Sequence, residues 1–129
     1  MSISKLLIAN RGEIAVRIQR AAAALDLPTV AVYSEDDAQG LHVFRADEAH
    51  GLSGPGAPAY LDMDQVIAAA QATGCDAVHP GYGFLSENAA FARRCEDAGL
   101  CFIGPRTDVL DKLGDKAKGR NIAKSAGIP

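Results

Sequence analysis

The sequence contains no tryptophan, and phenylalanine and tyrosine bring aromatic content to only 5%. Its core must therefore come from aliphatic and small side chains, which the 48% hydrophobic content supplies. There is no basic run, and the net charge is −3, which argues against a nucleic-acid surface. No apolar stretch is long enough to span a bilayer. The N-terminus runs straight into a strand, without the charged and apolar regions of a signal peptide, so a cytoplasmic setting is expected, with no membrane partner. The three cysteines, Cys75, Cys95 and Cys101, are odd in number and lack CxxC spacing. Cys75 and Cys101 lie beside predicted strands and Cys95 on the apolar face of a predicted helix, where thiols act as small hydrophobes. Cys75 and His79 are four residues apart, but in a strand that spacing builds no helical metal face, so no metal site is expected.

What the sequence does hold is a regular alternation. At 129 residues it is long enough for one domain, 1–129, with a two-sided core. Lys5–Ala9 reads as a buried parallel strand, Asn10-Arg11-Gly12 as a turn, and Glu13–Leu25 as a helix. Ile14, Ile18, Ala21 and Leu25 share one face of that helix, with a Glu13–Arg17 pair on its flank. Thr29–Tyr33 is a second strand, followed by an acidic turn in which Asp36 and Asp37 read as solvated charge. A short helix over 39–45 and a poorer strand over 48–52 come next. Gly54-Pro55-Gly56-Ala57-Pro58 reads as a surface loop. Asp62 and Gln65 have capping-box spacing and open a helix that turns Val66, Ile67 and Ala70 inward and ends at Gly74. Asp76–His79 is a fourth strand, Asn88–Ala98 a helix burying Phe91, Cys95 and Ala98, and Leu100–Ile103 a fifth strand. Thr107 caps a short helix to Leu113, and 116–125 is a last helical segment.

Strands alternating with helices imply an α/β fold, a five-stranded parallel sheet with right-handed crossovers. With strand order 3-2-1-4-5, strands one and four are neighbours at the point where the chain reverses across the sheet. Ligands bind at the carboxyl ends of such strands. The loops found there are Asn10, Arg11, Gly12 and Glu13 after strand one, and His79, Pro80, Gly81, Tyr82, Gly83, Ser86, Glu87 and Asn88 around the end of strand four. Two glycines and a proline in four residues give the second loop a backbone freedom that packing does not need. A plain strand-to-helix turn, capped by Ser86 or Asn88, is the competing explanation.

A dinucleotide-binding domain wants G-x-G-x-x-G after the first strand. The turn here has one glycine and an added carboxylate, although Glu35 after strand two could mimic the ribose-binding acid. Gly81-x-Gly83-x-x-Ser86 follows the fourth strand and lacks the third glycine. Ser86 is not in a G-x-S-x-G elbow, so nucleophilic serine chemistry has no support.

End to end, the chain resembles the N-terminal domain of biotin carboxylases, the carboxylating parts of acetyl-CoA, propionyl-CoA, methylcrotonyl-CoA and pyruvate carboxylases. The strings that carry the resemblance are Ile8–Ala15 (IANRGEIA), Ala46–Ala49, Tyr60-Leu61, His79–Asn88 (HPGYGFLSEN), Phe102–Pro105 and Gly114–Lys116. Asp62 stands where the family often has asparagine, and either residue caps a helix. Val43-Phe44-Arg45 is somewhat unusual.

The resemblance implies a Rossmann-like, three-layer domain of the kind that precedes an ATP-grasp domain. The family reaction forms carboxyphosphate from ATP and bicarbonate and carboxylates the ureido nitrogen of biotin, in a site that excludes water. By resemblance Tyr82 and Gly83 lie on the biotin side of that site, and Lys116 near the nucleotide phosphates. No catalytic residue is expected within this chain. The glycine-rich lid, the magnesium-binding carboxylates and the bicarbonate-holding residues belong to ATP-grasp and C-terminal domains that the sequence does not include. ATP, Mg2+ and biotin are thus expected in the complete enzyme, none of them tightly bound by this domain alone. The implied partners are those remaining domains, a biotin carboxyl carrier, a carboxyltransferase and, through Arg17 and Arg20, a second copy in a homodimer. The alternative is a stand-alone nucleotide-binding or assembly domain without catalysis.

Overall fold

The structure, a computed structural model, describes residues 3–104. Lys116 and the helices expected over 107–113 and 116–125 lie outside the described residues. The elements run β1 (Leu6–Ile8), α1 (Gly12–Ala24), β2 (Thr29–Tyr33), α2 (Leu41–Arg45), β3 (Glu48–Gly51), α3 (Ala57–Tyr60), α4 (Met63–Ala72), β4 (Ala77–His79), α5 (Ala89–Asp97) and β5 (Cys101–Phe102). The five strands form one sheet in the order β3-β2-β1-β4-β5, and every pairing is parallel. This is the expected order, with β1 and β4 adjacent.

Alternation along the short strands sends side chains to opposite faces. Leu7, Val30, Val32 and Val78 enter the larger core with Tyr60, Val66, Ala70, Phe91 and Cys95. Leu6, Ile8 and Ala77 face the other way, against Ala15 and Ala22 of α1. Cys75 and Cys95 are buried free thiols and Cys101 is half-buried. Burial pushes the Cys95 thiol up to about 12, far from the reactive range.

Local chemistry explains the ends of the elements. Asp62 caps α4 by accepting the Gln65 backbone N–H at 3.2 Å. The Gln65 side chain reaches back to the Asp62 carboxylate rather than to its backbone N–H and also pairs with both backbone groups of Ser53. Asp76 ties the chain start to β4, its carboxylate accepting from the backbone N–H groups of Ser4 and Lys5.

Three expectations change. The buried side of α1 is Ala15, Val16, Gln19 and Ala22, not the Ile14–Leu25 stripe. Ile14 and Ile18 are only partly buried, Ala21 is exposed, and Leu25 is 78% exposed. Alanine lets the helix axis approach the sheet closely, so Ala15 and Ala22 take the contact with Leu6, Ile8 and Ala77 while Ile18 packs partly buried against them. The stripe instead lines an open apolar groove of about 800 Å3 that reaches Ile103, His79 and Tyr82. Second, Ala57–Tyr60 is helical, because Pro58 sits in the first turn, where a missing N–H costs nothing. Third, Glu13 and Arg17 form no ion pair with each other among the described residues.

Placement of the core generates a prediction. Phe91→Ala should remove about 3–5 kcal/mol of stability, whereas Leu25→Ser should change it by no more than about 0.5 kcal/mol. Urea midpoints for the two variants measure this, and comparable losses would contradict the position assigned to α1.

Candidate functional site

The site is built where β1 and β4 end side by side. Ile8 registers with His79, and the pairing continues one residue further, the Ala9 N–H donating to His79 O at 2.9 Å. Beyond this point both chains must turn, and the next residue, Asn10, is only 1% exposed. Its Nδ2 donates to Pro80 O and to Tyr82 O, each at 2.7 Å. Its Oδ1 accepts the Arg11 N–H at 2.8 Å. One carboxamide therefore joins the first loop to the second.

The second loop has a backbone that few residue types tolerate. Gly81, Gly83 and Phe84 have φ of +67°, +68° and +47°. At Gly81 a side chain is also sterically barred, since a Cβ would meet Asn10 Nδ2 at 2.7 Å and Ile14 Cγ2 at 2.8 Å. Gly83 has nothing within 4 Å of where its Cβ would be, so its freedom serves the turn and leaves open space. Tyr82 is 78% exposed. His79 is half-buried, and its Nδ1 accepts the Gly81 N–H at 3.1 Å, which places the ring proton on Nε2. Burial pushes this imidazole below its ordinary value. Leu85 then anchors the loop in the core at 1% exposure.

The remaining expected residues are distributed by different causes. Asn88 is the helix cap, its side chain accepting the Phe91 N–H of α5 at 2.9 Å. Ser86 and Glu87 lie in the turn leading to that cap, with Ser86 half-buried and Glu87 exposed. Gly12 opens α1 at φ +63°. Glu13, Arg17 and Arg20 are exposed on α1. Arg11 turns away from β4, toward the loop after β2. The structure thus brings together Asn10, His79, Pro80, Gly81 and Tyr82, with Gly83 at their edge, and it separates Arg11, Glu13, Ser86, Glu87 and Asn88 from them.

Arg11 exposes a network that the sequence reading passed over. Its Nε and Nη2 donate to the two carboxylate oxygens of Asp37 at 2.5 and 2.9 Å. The Tyr60 hydroxyl donates to Asp37 at 2.6 Å and accepts the Ser34 N–H at 3.1 Å. Asp37 is thus a tied group rather than a solvated charge. Arg11 beside it holds its carboxyl well below the usual carboxylate range, with the Tyr60 bond adding to the effect and burial opposing it. Burial, and then the bond to Asp37, raise the Tyr60 phenol. The signal for this network was present: with β1 and β2 adjacent, an arginine after one strand and an acidic turn after the other share one end of the sheet.

What the arrangement offers is a shelf of fixed backbone beside an exposed phenol, at a topological switch point. It offers backbone groups to a small molecule lying against the loop, with Gly83 leaving room for close approach. Among the described residues no group of three or more His, Cys, Asp or Glu side chains is placed to hold a metal ion.

Comparison with known proteins follows the same lines. The family model for the biotin carboxylase N-terminal domain matches residues 2–110. Pyruvate carboxylase of Bacillus subtilis (strain 168) is 55% identical over 131 residues, covering 99% of this chain and 11% of that protein. Biotin carboxylase 1 of the same organism is 54% identical over 129 residues, covering 98% of this chain and 28% of that protein. A solved biotin carboxylase domain of a single-chain bacterial carboxylase has a TM-score of 0.87 at 58% identity, covering 98% of this chain and 29% of that one. The chain therefore spans between about a tenth and three tenths of the relatives it matches.

The Asp37 network generates a pH prediction. A carboxyl held below its ordinary value stabilises the fold fully above that value, about pH 4. The contribution is lost as pH falls through that region toward the lower folded-state value. Arg11 is 48% exposed and Asp37 16%, so water screens the pair and its worth is on the order of 1 kcal/mol. Asp36, Asp62 and Asp76 shift in the same direction, so acid destabilisation persists without Asp37 but is shallower. Asp37→Asn should melt lower than the parent at pH 7 and lose less melting temperature between pH 7 and pH 3, followed by circular dichroism. Parallel pH curves for the two proteins would refute the assignment.

Proposed function

Because the chain belongs to the biotin carboxylase N-terminal domain family, we propose that it forms one wall of an ATP-dependent biotin carboxylase. In this reading the complete enzyme, a carbon–nitrogen ligase, uses ATP and Mg2+ to move a carboxyl group from bicarbonate to biotin. The observation that carries the reading is the juxtaposition of the two family strings: IANRGEIA and HPGYGFLSEN meet at one switch point, joined by Asn10. The biotin-facing groups are Tyr82, which is exposed, and Gly83, which leaves space beside it. Lys116 is proposed to face the nucleotide phosphates. Magnesium, bicarbonate and the lid fall to ATP-grasp and C-terminal domains elsewhere in the enzyme, so this domain positions and encloses while others supply the chemistry.

The partners that follow are a biotin carboxyl carrier, a carboxyltransferase and a second copy of the enzyme. Acetyl-CoA or propionyl-CoA as final acceptor, with a place in fatty acid biosynthesis, is the finer reading. Pyruvate carboxylases are as similar over this domain, which is consistent with a wall that serves the biotin step and never touches the acceptor. The cytoplasm is the proposed setting, and no helix among the described residues is long and apolar enough to cross a membrane.

Two predictions follow from this division of labour. A single exposed ammonium gains only about 1 kcal/mol from a phosphate charge in water, so the 129-residue chain should bind ATP with Mg2+ weakly or not at all by calorimetry. Micromolar binding would instead favour a stand-alone nucleotide-binding domain. In the complete enzyme, Tyr82→Ala should lower kcat/KM for biotin about tenfold or more while ATP KM stays within about twofold. Lys116→Ala should show the opposite emphasis. A further prediction concerns assembly. Arg17 and Arg20 are exposed on the same helix, and reversing both charges in the complete enzyme should convert the dimer to monomers in sedimentation velocity. An unchanged dimer would remove them from that contact.

A further inference from the structure

Asn10 is buried beneath the loop that exposes Tyr82, yet it controls how that loop is presented. Its two Nδ2 protons are both committed, one to the carbonyl on each side of Gly81's neighbourhood, Pro80 O and Tyr82 O. Its oxygen is committed as well, to the Arg11 N–H. Asn10 itself is only 1% exposed, so losing the carboxamide would leave the buried Pro80 carbonyl without its donor and the Tyr82 carbonyl without its tether. Peptide geometry adds a directional consequence. The C=O and N–H of a trans peptide point in opposite directions. Holding Tyr82 O inward therefore turns the N–H of the Tyr82–Gly83 peptide away from Asn10. The same bond fixes the backbone from which the exposed Tyr82 side chain projects.

We propose that Asn10 is a positioning residue for the biotin half-reaction, acting through Pro80 O and Tyr82 O to hold the Gly81–Gly83 backbone in its productive form. The proposal rests on the biotin carboxylase reading above. Steric contact reinforces the hydrogen bonds: Gly81 at φ +67° packs so closely that an added Cβ would strike Asn10 Nδ2 and Ile14. Asn10 and Gly81 thus constitute one device approached from two sides. Asn10→Asp keeps the shape but replaces the donors with oxygen facing two carbonyl oxygens. Gly81→Ala keeps the donors but forces them away.

The test uses the complete enzyme with free biotin as substrate. Asn10→Asp, Asn10→Ala and Gly81→Ala should each lower kcat/KM for biotin about ten- to a hundred-fold, the scale of a small misplacement near a reacting group. KM for ATP should stay within about twofold. Hydrogen–deuterium exchange should accelerate at the amides of Gly81, Tyr82 and Gly83 and stay at the parent rate in α4. Asn10→Asp with Gly81→Ala in one chain should cost little more than either alone, because both break the same contact. Unchanged biotin kinetics, an equal loss for ATP, or faster exchange throughout the domain would overturn the proposal. A parent enzyme that fails to carboxylate biotin would instead remove the functional reading, and the exchange pattern would still show whether Asn10 holds the loop.

Discussion

The strands of this sheet are only two to five residues long, so the sheet cannot tolerate much error in pairing. Leu6, Leu7 and Ile8 lie opposite Ala77, Val78 and His79, and everything at the carboxyl end depends on that register. A slip of one residue would exchange the faces of the sheet, sending Leu7 and Val78 out of the larger core. It would also move Asn10 away from Pro80 and Tyr82. Burial of small aliphatic side chains on both faces therefore fixes the geometry of a polar site that lies beyond the last paired residue.

Adjacent residues after β1 reach in opposite directions across the sheet. Asn10 reaches toward β4 and holds the Pro80–Tyr82 backbone. Arg11 reaches toward β2 and holds Asp37, which in turn accepts from Tyr60. The two contacts differ in energetic character. The Asn10 bonds are neutral, and the one to Pro80 O is buried, so its worth lies in the cost of leaving that carbonyl unpaired. The Arg11–Asp37 pair is partly exposed, so screening limits its strength and makes it sensitive to acid. Position at the end of the central strand gives one turn control over loops on both of its neighbours.

Much of this was legible from the residues because it depends on local rules. The alternation of strands and helices, the Asp62 cap and the Asn88 cap all follow from spacing and turn chemistry, and the strand order considered with them is the one observed. The face of α1 was not, because the strongest periodicity in that helix belongs to Ile14, Ile18 and Leu25, whereas the sheet selects Ala15 and Ala22 for close approach. Helical periodicity reports where apolar residues cluster, not which neighbour they meet. Asp37 was misjudged for a related reason. Its environment is supplied by Arg11 and Tyr60, more than twenty residues away on either side, and a window along the chain sees only other carboxylates. The glycines of the second loop were recognised as permissive, but the partner that uses their freedom, Asn10, became visible only when two distant strands were laid side by side.

The second loop is also held from a second direction. Phe84, the residue that completes its turn, adopts a left-handed backbone that costs a non-glycine residue on the order of 1 kcal/mol. Its ring packs against Tyr60 with centroids 5.3 Å apart, and Leu85 beside it is buried in the same core. Tyr60 is the residue whose hydroxyl meets Asp37, and Asp37 is bound by Arg11. The contacts close into a ring: Asn10 to Tyr82 by hydrogen bond, Tyr82 to Phe84 along the chain, Phe84 to Tyr60 by ring packing, and Tyr60 through Asp37 to Arg11, the neighbour of Asn10. A strained turn enclosed by such a ring has no single contact whose loss frees it completely. That is the property expected of a backbone held in one form at the carboxyl end of a parallel sheet.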